Sequence, residues 1–252
     1  MFAQERLEEI LKVLNKDGKV LVKDLSKRFD VSEDCIRKDL RNLESQNLLE
    51  RTYGGAIPLR KSAPNQKVEA RIYADVESKK KIAEKAFNII KNNETIFLDI
   101  STTNILLAQE LAESNKKITI ITNMIDIVKT FSNNNIKVIC IGGVFSKDLD
   151  GFTGSMAIEN ISKYKVNKAF IGSCGVDIFD KSITTFDVED GNTKKAIIES
   201  GKEIYLVMEN KKFYMDGVYK FATLYDINTI ITEDTPKQDI LKALKKTNTN
   251  IL

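Results

Sequence analysis

The stretch TIFLDISTTNILLAQEL (residues 95–111) decides how the larger part of this chain folds. Thr95-Ile96-Phe97-Leu98 is short, apolar and rich in strand formers, whereas from Thr103 onward the apolar residues take helical spacing. Asp99 and then the hydroxyls of Ser101, Thr102 and Thr103 stand at the seam between them. A strand that runs directly into a helix is half of a βαβ unit, so the question is whether the pattern repeats.

It does repeat. Strand candidates are Thr95–Asp99, Ile118–Thr122, Ile136–Ile141, Lys168–Ile171, Glu203–Met208 and Thr229–Thr232. Helix-length segments such as Thr103–Ser114, Met124–Ser132 and Val188–Ser200 lie between most of them. This alternation predicts an α/β domain over residues 77–252, an open and mostly parallel sheet with helices on both faces. In such a sheet, ligands bind outside the carboxyl ends of the strands. Those ends carry Asp99 with Ser101-Thr102-Thr103, then Thr122-Asn123, Gly142-Gly143, Gly172-Ser173-Cys174-Gly175 and Glu209-Asn210-Lys211-Lys212. Polar and small residues thus collect at one edge, and glycine lets a backbone approach a ligand closely. The three hydroxyls admit two readings. They cap a helix, or they join its free amides and dipole in holding an anion such as a phosphate.

Upstream of this domain the pattern changes. Residues 58–76 hold two of the chain's three prolines in a polar setting and are expected to be a linker. Residues 1–57 read as three helices and a hairpin. The first helix runs from about Ala3 to Asn15, with Leu7, Ile10, Leu11 and Leu14 on one face, and the second from about Val22 to Phe29. After the turn at Asp30-Val31, Ser32 is placed to cap a third helix, with Glu33 and Asp34 in its positive first turn. There Ile36, Leu40 and Leu43 make one apolar stripe, and Arg37, Lys38 and Arg41 project from the other side. A helix of that kind suits the DNA major groove, where arginine reads guanine edges and lysine neutralises phosphates. A solvated charged face would look the same taken alone. The segment Leu48–Ile57, with a glycine turn at Gly54-Gly55, reads as a wing.

The bulk numbers exclude more than they select. The net charge is +3, and residues 1–60 hold twelve Lys/Arg against eleven Asp/Glu, a difference of +1, so DNA binding rests on where the charges stand. The chain contains no histidine, which removes Ser-His-Asp and Cys-His chemistry and imidazole metal ligands. Cys35, Cys140 and Cys174 lack paired spacing, so neither a structural zinc nor a disulfide framework is expected, and no cofactor is called for. No apolar run reaches membrane-spanning length, and the opening MFAQERLEEILKVL does not have the pattern of a signal peptide. The expectation is a cytoplasmic protein.

The stretch VSEDCIRKDLRNLESQNLLERTYGGAI (residues 31–57) closely resembles the helix-turn-helix signature of the DeoR family of bacterial sugar-operon repressors. Val31, Ser32, Ile36, Arg37, Asp39, Leu40, Arg51, Gly54, Gly55 and Ala56 match it, while Cys35 replaces a threonine, Lys38 an arginine and Tyr53 a histidine. The resemblance continues through LDISTTN, where Ser101 stands for the usual glycine of a phosphate loop, and through ITNMIDIV, IGGVFS, AFIGSCGVD, TTFDVEDGNTKKAIIES and LVMENKKF. It implies a sensor domain with the fold of ribose-5-phosphate isomerase and a phosphorylated sugar as effector. The DNA-binding set is then Ser32, Glu33, Arg37, Lys38, Arg41 and Arg51. The effector set is Asp99, Ser101, Thr102, Thr103, Asn123, Gly142, Gly172, Ser173, Gly175, Glu189 and Lys212.

The expectation is therefore a repressor of a sugar-metabolism operon, binding double-stranded operator DNA as a homodimer or homotetramer and released by a sugar phosphate. The alternative is an isomerase-like enzyme using Glu189, Asp187 or Lys212 as acid and base. It leaves the N-terminal reader without a purpose.

Overall fold

The computed structural model describes residues 2–132 and 136–252. The chain divides into two compact units, the boundary falling between Lys61 and Ser62.

The first unit contains α1 (Ala3–Asp17), β1 (Val20–Leu21), α2 (Val22–Phe29), α3 (Glu33–Ser45), β2 (Leu49–Thr52) and β3 (Gly55–Pro58). Each helix ends where the chain turns left-handed. Gly18 has φ 72° and donates its amide to the Leu14 carbonyl, and Asp30 closes α2 at φ 52°. The Ser32 hydroxyl accepts from the Cys35 amide, as an N-cap should. Ile10, Leu14, Leu25, Ile36, Leu40 and Leu43 bury one shared core, so the stripe on α3 is what holds that helix in place. Under it lies an ion pair that periodicity cannot reveal: Arg6 on α1 grips both carboxylate oxygens of Asp39, at 2.6 and 3.1 Å. The predicted hairpin is present, and β1 joins it to make an antiparallel sheet of order β1-β3-β2.

From the boundary onward the chain runs β4 (Lys61–Ser62), α4 (Val68–Ile72), α5 (Val76–Ile89), β5 (Thr95–Leu98), α6 (Thr102–Ala112), β6 (Thr119–Thr122), α7 (Ile125–Thr130) and β7 (Lys137–Cys140). It continues with β8 (Val144–Ser146), β9 (Gly151–Thr153), α8 (Ser155–Ile161), β10 (Val166–Ile171), β11 (Gly175–Val176), β12 (Ser182–Thr185), α9 (Val188–Ser200) and β13 (Gly201–Val207). The last elements are β14 (Met215–Asp216), β15 (Tyr219–Thr223), β16 (Thr229–Ile231), α10 (Gln238–Lys245) and β17 (Asn250–Ile251).

The main sheet has the order β17-β16-β13-β10-β5-β6-β7, and its strand pairs are parallel. Alternate residues of β5 show why the middle of the sheet is apolar on both faces. Ile96 and Leu98 pack into one core, and Phe97 into the core on the opposite face. The seventh strand, β17, lies outside the six expected, because two residues between Thr249 and Leu252 are too few to carry a readable period.

The stretch expected as a linker is folded from Ala63 onward. The Ala63 amide donates to the Asp216 carbonyl, α4 lies within the stretch, and Val68 is buried in the second unit's core. Its polar residues flank single buried anchors, a pattern that composition alone reads as free chain.

Candidate functional site

On the first unit, α3 turns Arg37, Lys38 and Arg41 to solvent, opposite its buried stripe. Arg37 is held by Glu33 and Asp34, each at 2.7 Å, and Arg51 by Glu44 at 2.7 Å. These are exposed pairs, worth less than about 1 kcal/mol each, so phosphate oxygens can replace the carboxylates cheaply. Ser32 is an exposed cap, and Glu33 is spent largely on Arg37. At the tip of the wing Tyr53 is fully exposed, followed by Gly54 at φ 81°.

In the second unit, β5 delivers the chain to the sheet's carboxyl edge, where Ser101 caps α6. Its hydroxyl accepts from the Thr103 amide at 3.3 Å. A cavity of about 190 Å³ opens here. Ser101, Thr102, Gly172, Ser173 and Lys212 line it, all members of the expected set. The rest of that set lies elsewhere. Asp99 sits beneath the cavity, fully buried, with its carboxylate accepting from the Gly172 amide at 3.0 Å. Thr103 is buried behind Ser101, and the Asn123 side chain donates to the Phe152 carbonyl. Gly142 is exposed with open space around it, and a Cβ on Gly175 would meet the Met215 carbonyl at 1.9 Å. Glycine at that strand end therefore answers to packing against β14, not to a ligand. The Glu189 carboxylate lies against Gly154, away from the cavity wall. Helical spacing explains this: Asp187 and Asp190 flank it on the face that α9 does present to the cavity.

Four features of the site escaped sequence reasoning. Lys194 reaches up from α9, 2.5 Å from Asp99 and 3.4 Å from Asp190, and all three are buried. Burial pushes the Asp99 carboxyl up against the pull of Lys194. The i, i+4 spacing of Asp190 and Lys194 was the available signal, one shared with any solvated helix. Second, the segment expected as a linker contributes Pro64, Asn65, Gln66 and Arg71 to the wall. Third, a smaller adjoining cavity shares Arg71, Thr102, Ser173, Phe186 and Lys212, and adds Lys79, Glu209 and Lys211. Lys79 is buried, donating to the Arg71 and Ala74 carbonyls, and burial lowers its pKa. The Nε of Arg71 is buried and has no hydrogen-bond partner. Fourth, Ser146 at the end of β8 and Asp148 and Leu149 from the β8–β9 turn complete the lining.

Chemically the arrangement is two-sided. Around Thr102 stand the start of α6, Arg71 and Lys212, all favourable to an anion. Towards α9 stand Asp187 and Asp190, acceptors suited to hydroxyl groups. Among the described residues no group of three or more potential metal ligands occurs, and no helix is long and apolar enough to cross a membrane.

A winged helix-turn-helix followed by an α/β unit with a polar cavity is the build of a DNA-binding regulator carrying its own sensor. Residues 6–61 match the model of the DeoR-like helix-turn-helix domain, and residues 74–234 that of the DeoR C terminal sensor domain. The chain belongs to the DeoR family, which is made up of transcriptional regulators. The HTH-type transcriptional repressor GlcR of Bacillus subtilis is 31% identical over 100% of this chain and 96% of its own length. The glycerol-3-phosphate regulon repressor of Escherichia coli is 29% identical over 95% of this chain and 94% of its own. Among solved structures, ribose 5-phosphate isomerase A of Methanocaldococcus jannaschii overlaps 55% of each chain at a TM-score of 0.42 and 16% identity, too distant to bear on chemistry.

Proposed function

We propose that this protein represses a carbohydrate-metabolism operon, binding operator DNA through α3 and the wing and letting go when a phosphorylated sugar enters the cavity beside Ser101. The observation that carries the reading is the two-sided cavity. Thr102, Arg71 and Lys212 supply cations and donors, and Asp187 and Asp190, the latter paired with Lys194, supply acceptors in the same cavity, which matches a phosphate attached to a polyol. The Escherichia coli relative, a glycerol-3-phosphate regulon repressor, supports the same ligand chemistry. Release requires the ligand to favour the DNA-incompetent state, since equal affinity for both states shifts nothing.

The test is a gel shift with the DNA upstream of the protein's own gene, titrated with glucose 6-phosphate, fructose 1-phosphate and glycerol 3-phosphate. One of these should release the DNA, and Arg37→Ala and Arg41→Ala should weaken binding before any ligand is added. DNA binding that survives both substitutions, or that ignores every sugar phosphate, sinks the corresponding half of the proposal.

A further inference from the structure

Two stretches far apart in sequence meet at the cavity wall. Pro64, Asn65 and Gln66 belong to one, and Ser146 at the end of β8 with Asp148 and Leu149 of the β8–β9 turn to the other. They are stitched together at a single residue. The Val68 amide donates to the Asp148 carbonyl at 2.9 Å, and the Lys67 ammonium lies 3.1 Å from the Asp148 carboxylate. The ionic half of that stitch is weak, because both side chains are 67% exposed and water competes for them.

The arms themselves are anchored. Val68 is 1% exposed, and the Ala63 amide is tied to the Asp216 carbonyl. At the base of the hairpin Gly151 is packed so closely that a Cβ would meet the Asn123 carbonyl at 2.7 Å. Two anchored arms joined by one backbone hydrogen bond and one exposed ion pair make a strap that parts at few contacts. The cavity they line, about 190 Å³, is smaller than the roughly 300–1,000 Å³ of ordinary ligand pockets, so parting the two stretches would enlarge it. The strap is also close to the DNA-binding unit along the chain: only Ser62 and Ala63 separate Pro64 from Lys61, where that unit ends.

We propose that residues 64–67 and the β8–β9 turn form a strap, latched by Lys67 and Asp148, that opens to admit a phosphorylated ligand and recloses over it. The strap is the part of the sensor that passes the ligand's arrival to the chain entering the DNA-binding unit. This rests on the effector reading above, and its test is arranged to fail separately.

The full-length protein is compared with Lys67→Glu, which sets two carboxylates face to face, and with the swapped pair Lys67→Glu/Asp148→Lys. Amide hydrogen exchange is followed in residues 62–72 and 144–153. Exchange should quicken in both segments together in Lys67→Glu, by about five-fold for an exposed pair, and recover in the swap. In the gel shift, with glucose 6-phosphate, fructose 1-phosphate and glycerol 3-phosphate as probes, the concentration giving half release should rise about five-fold in Lys67→Glu and return in the swap, while ligand-free operator affinity stays put. Faster exchange in one segment alone, or no recovery in the swap, overturns the strap. If no probe releases DNA from any variant, the effector reading falls, and the exchange result still decides the strap.

Discussion

Gly172 leaves no room for a side chain, since a Cβ there would stand 2.8 Å from the Cβ of Ser101. Ser101 itself has φ −159°, an extended conformation open to any residue, so nothing in the backbone demands glycine at that position. The usual family glycine and this serine are therefore both compatible with the loop. Ser101→Gly should keep the effector response, at a stability cost of a few tenths of a kcal/mol from the altered cap. Gly172→Ala should cost about 1–3 kcal/mol by urea unfolding, and adding Ser101→Gly should recover part of it. Additive losses in the double variant would show that the two residues do not collide. Glu209 offers a pH test. Burial alone would raise its carboxyl, but Lys212, a backbone amide and Lys211 together hold it down, from 4.5 to about 2. A lowered folded-state pKa adds stability above the unfolded value and loses it as pH falls from about 4.5 towards 2. Glu209→Gln should then cost about 3 kcal/mol at pH 7 and little at pH 2, read from denaturation curves across that range. A cost independent of pH would mean that Glu209 matters by shape.

At the scale of elements, the wing depends on Gly55, where a Cβ would lie 2.0 Å from the Val20 carbonyl. Gly55→Ala should part β1 from β3 and lower the stability of the first unit by about 2 kcal/mol or more, with weaker operator binding and an intact second-unit transition. Unchanged melting and binding would show that the third strand is dispensable. Lys38 on α3 tests the electrostatics. Lys38→Ala should reduce the slope of log affinity against log salt by about one, measured by fluorescence anisotropy on operator DNA. The helices α2, α3 and α9 and the strands β5, β6, β7, β10, β13 and β16 were readable because helical spacing or a short apolar run marks each of them. β1, β4, β14 and β17 span two residues apiece and exist because a neighbouring strand supplies their hydrogen bonds. The segment 58–76 went unread for the same reason, as its partners Asp148 and Asp216 are remote in sequence.

At the scale of the whole molecule, the family and the two-unit build are those of a helix-turn-helix regulator with a sensor domain. We expect sedimentation to give a dimer or tetramer, protecting half-sites spaced by about one helical turn, roughly 34 Å, or multiples of it. A monomer that protects a single half-site would contradict this. Five of the expected effector residues, Ser101, Thr102, Gly172, Ser173 and Lys212, line one cavity because strand ends of a parallel sheet converge at one edge whatever the intervening sequence. Glu189 and Gly175 do not, because facing depends on helix phase and on β14 arriving from elsewhere.

Local order, therefore, was determined by sequence alone. It specified the reading helix, the capped start of α6, the alternation that makes a parallel sheet, and the family motif. These depend on contacts a few residues long, and their periods are written in the chain. Tertiary structure decided what faces what. It placed Lys194 between Asp99 and Asp190, brought Arg71 from a supposed linker to the cavity, and set Arg6 on Asp39. Buried charges need partners, and the partner of a buried charge is fixed by which elements pack together, a relation that no local spacing records.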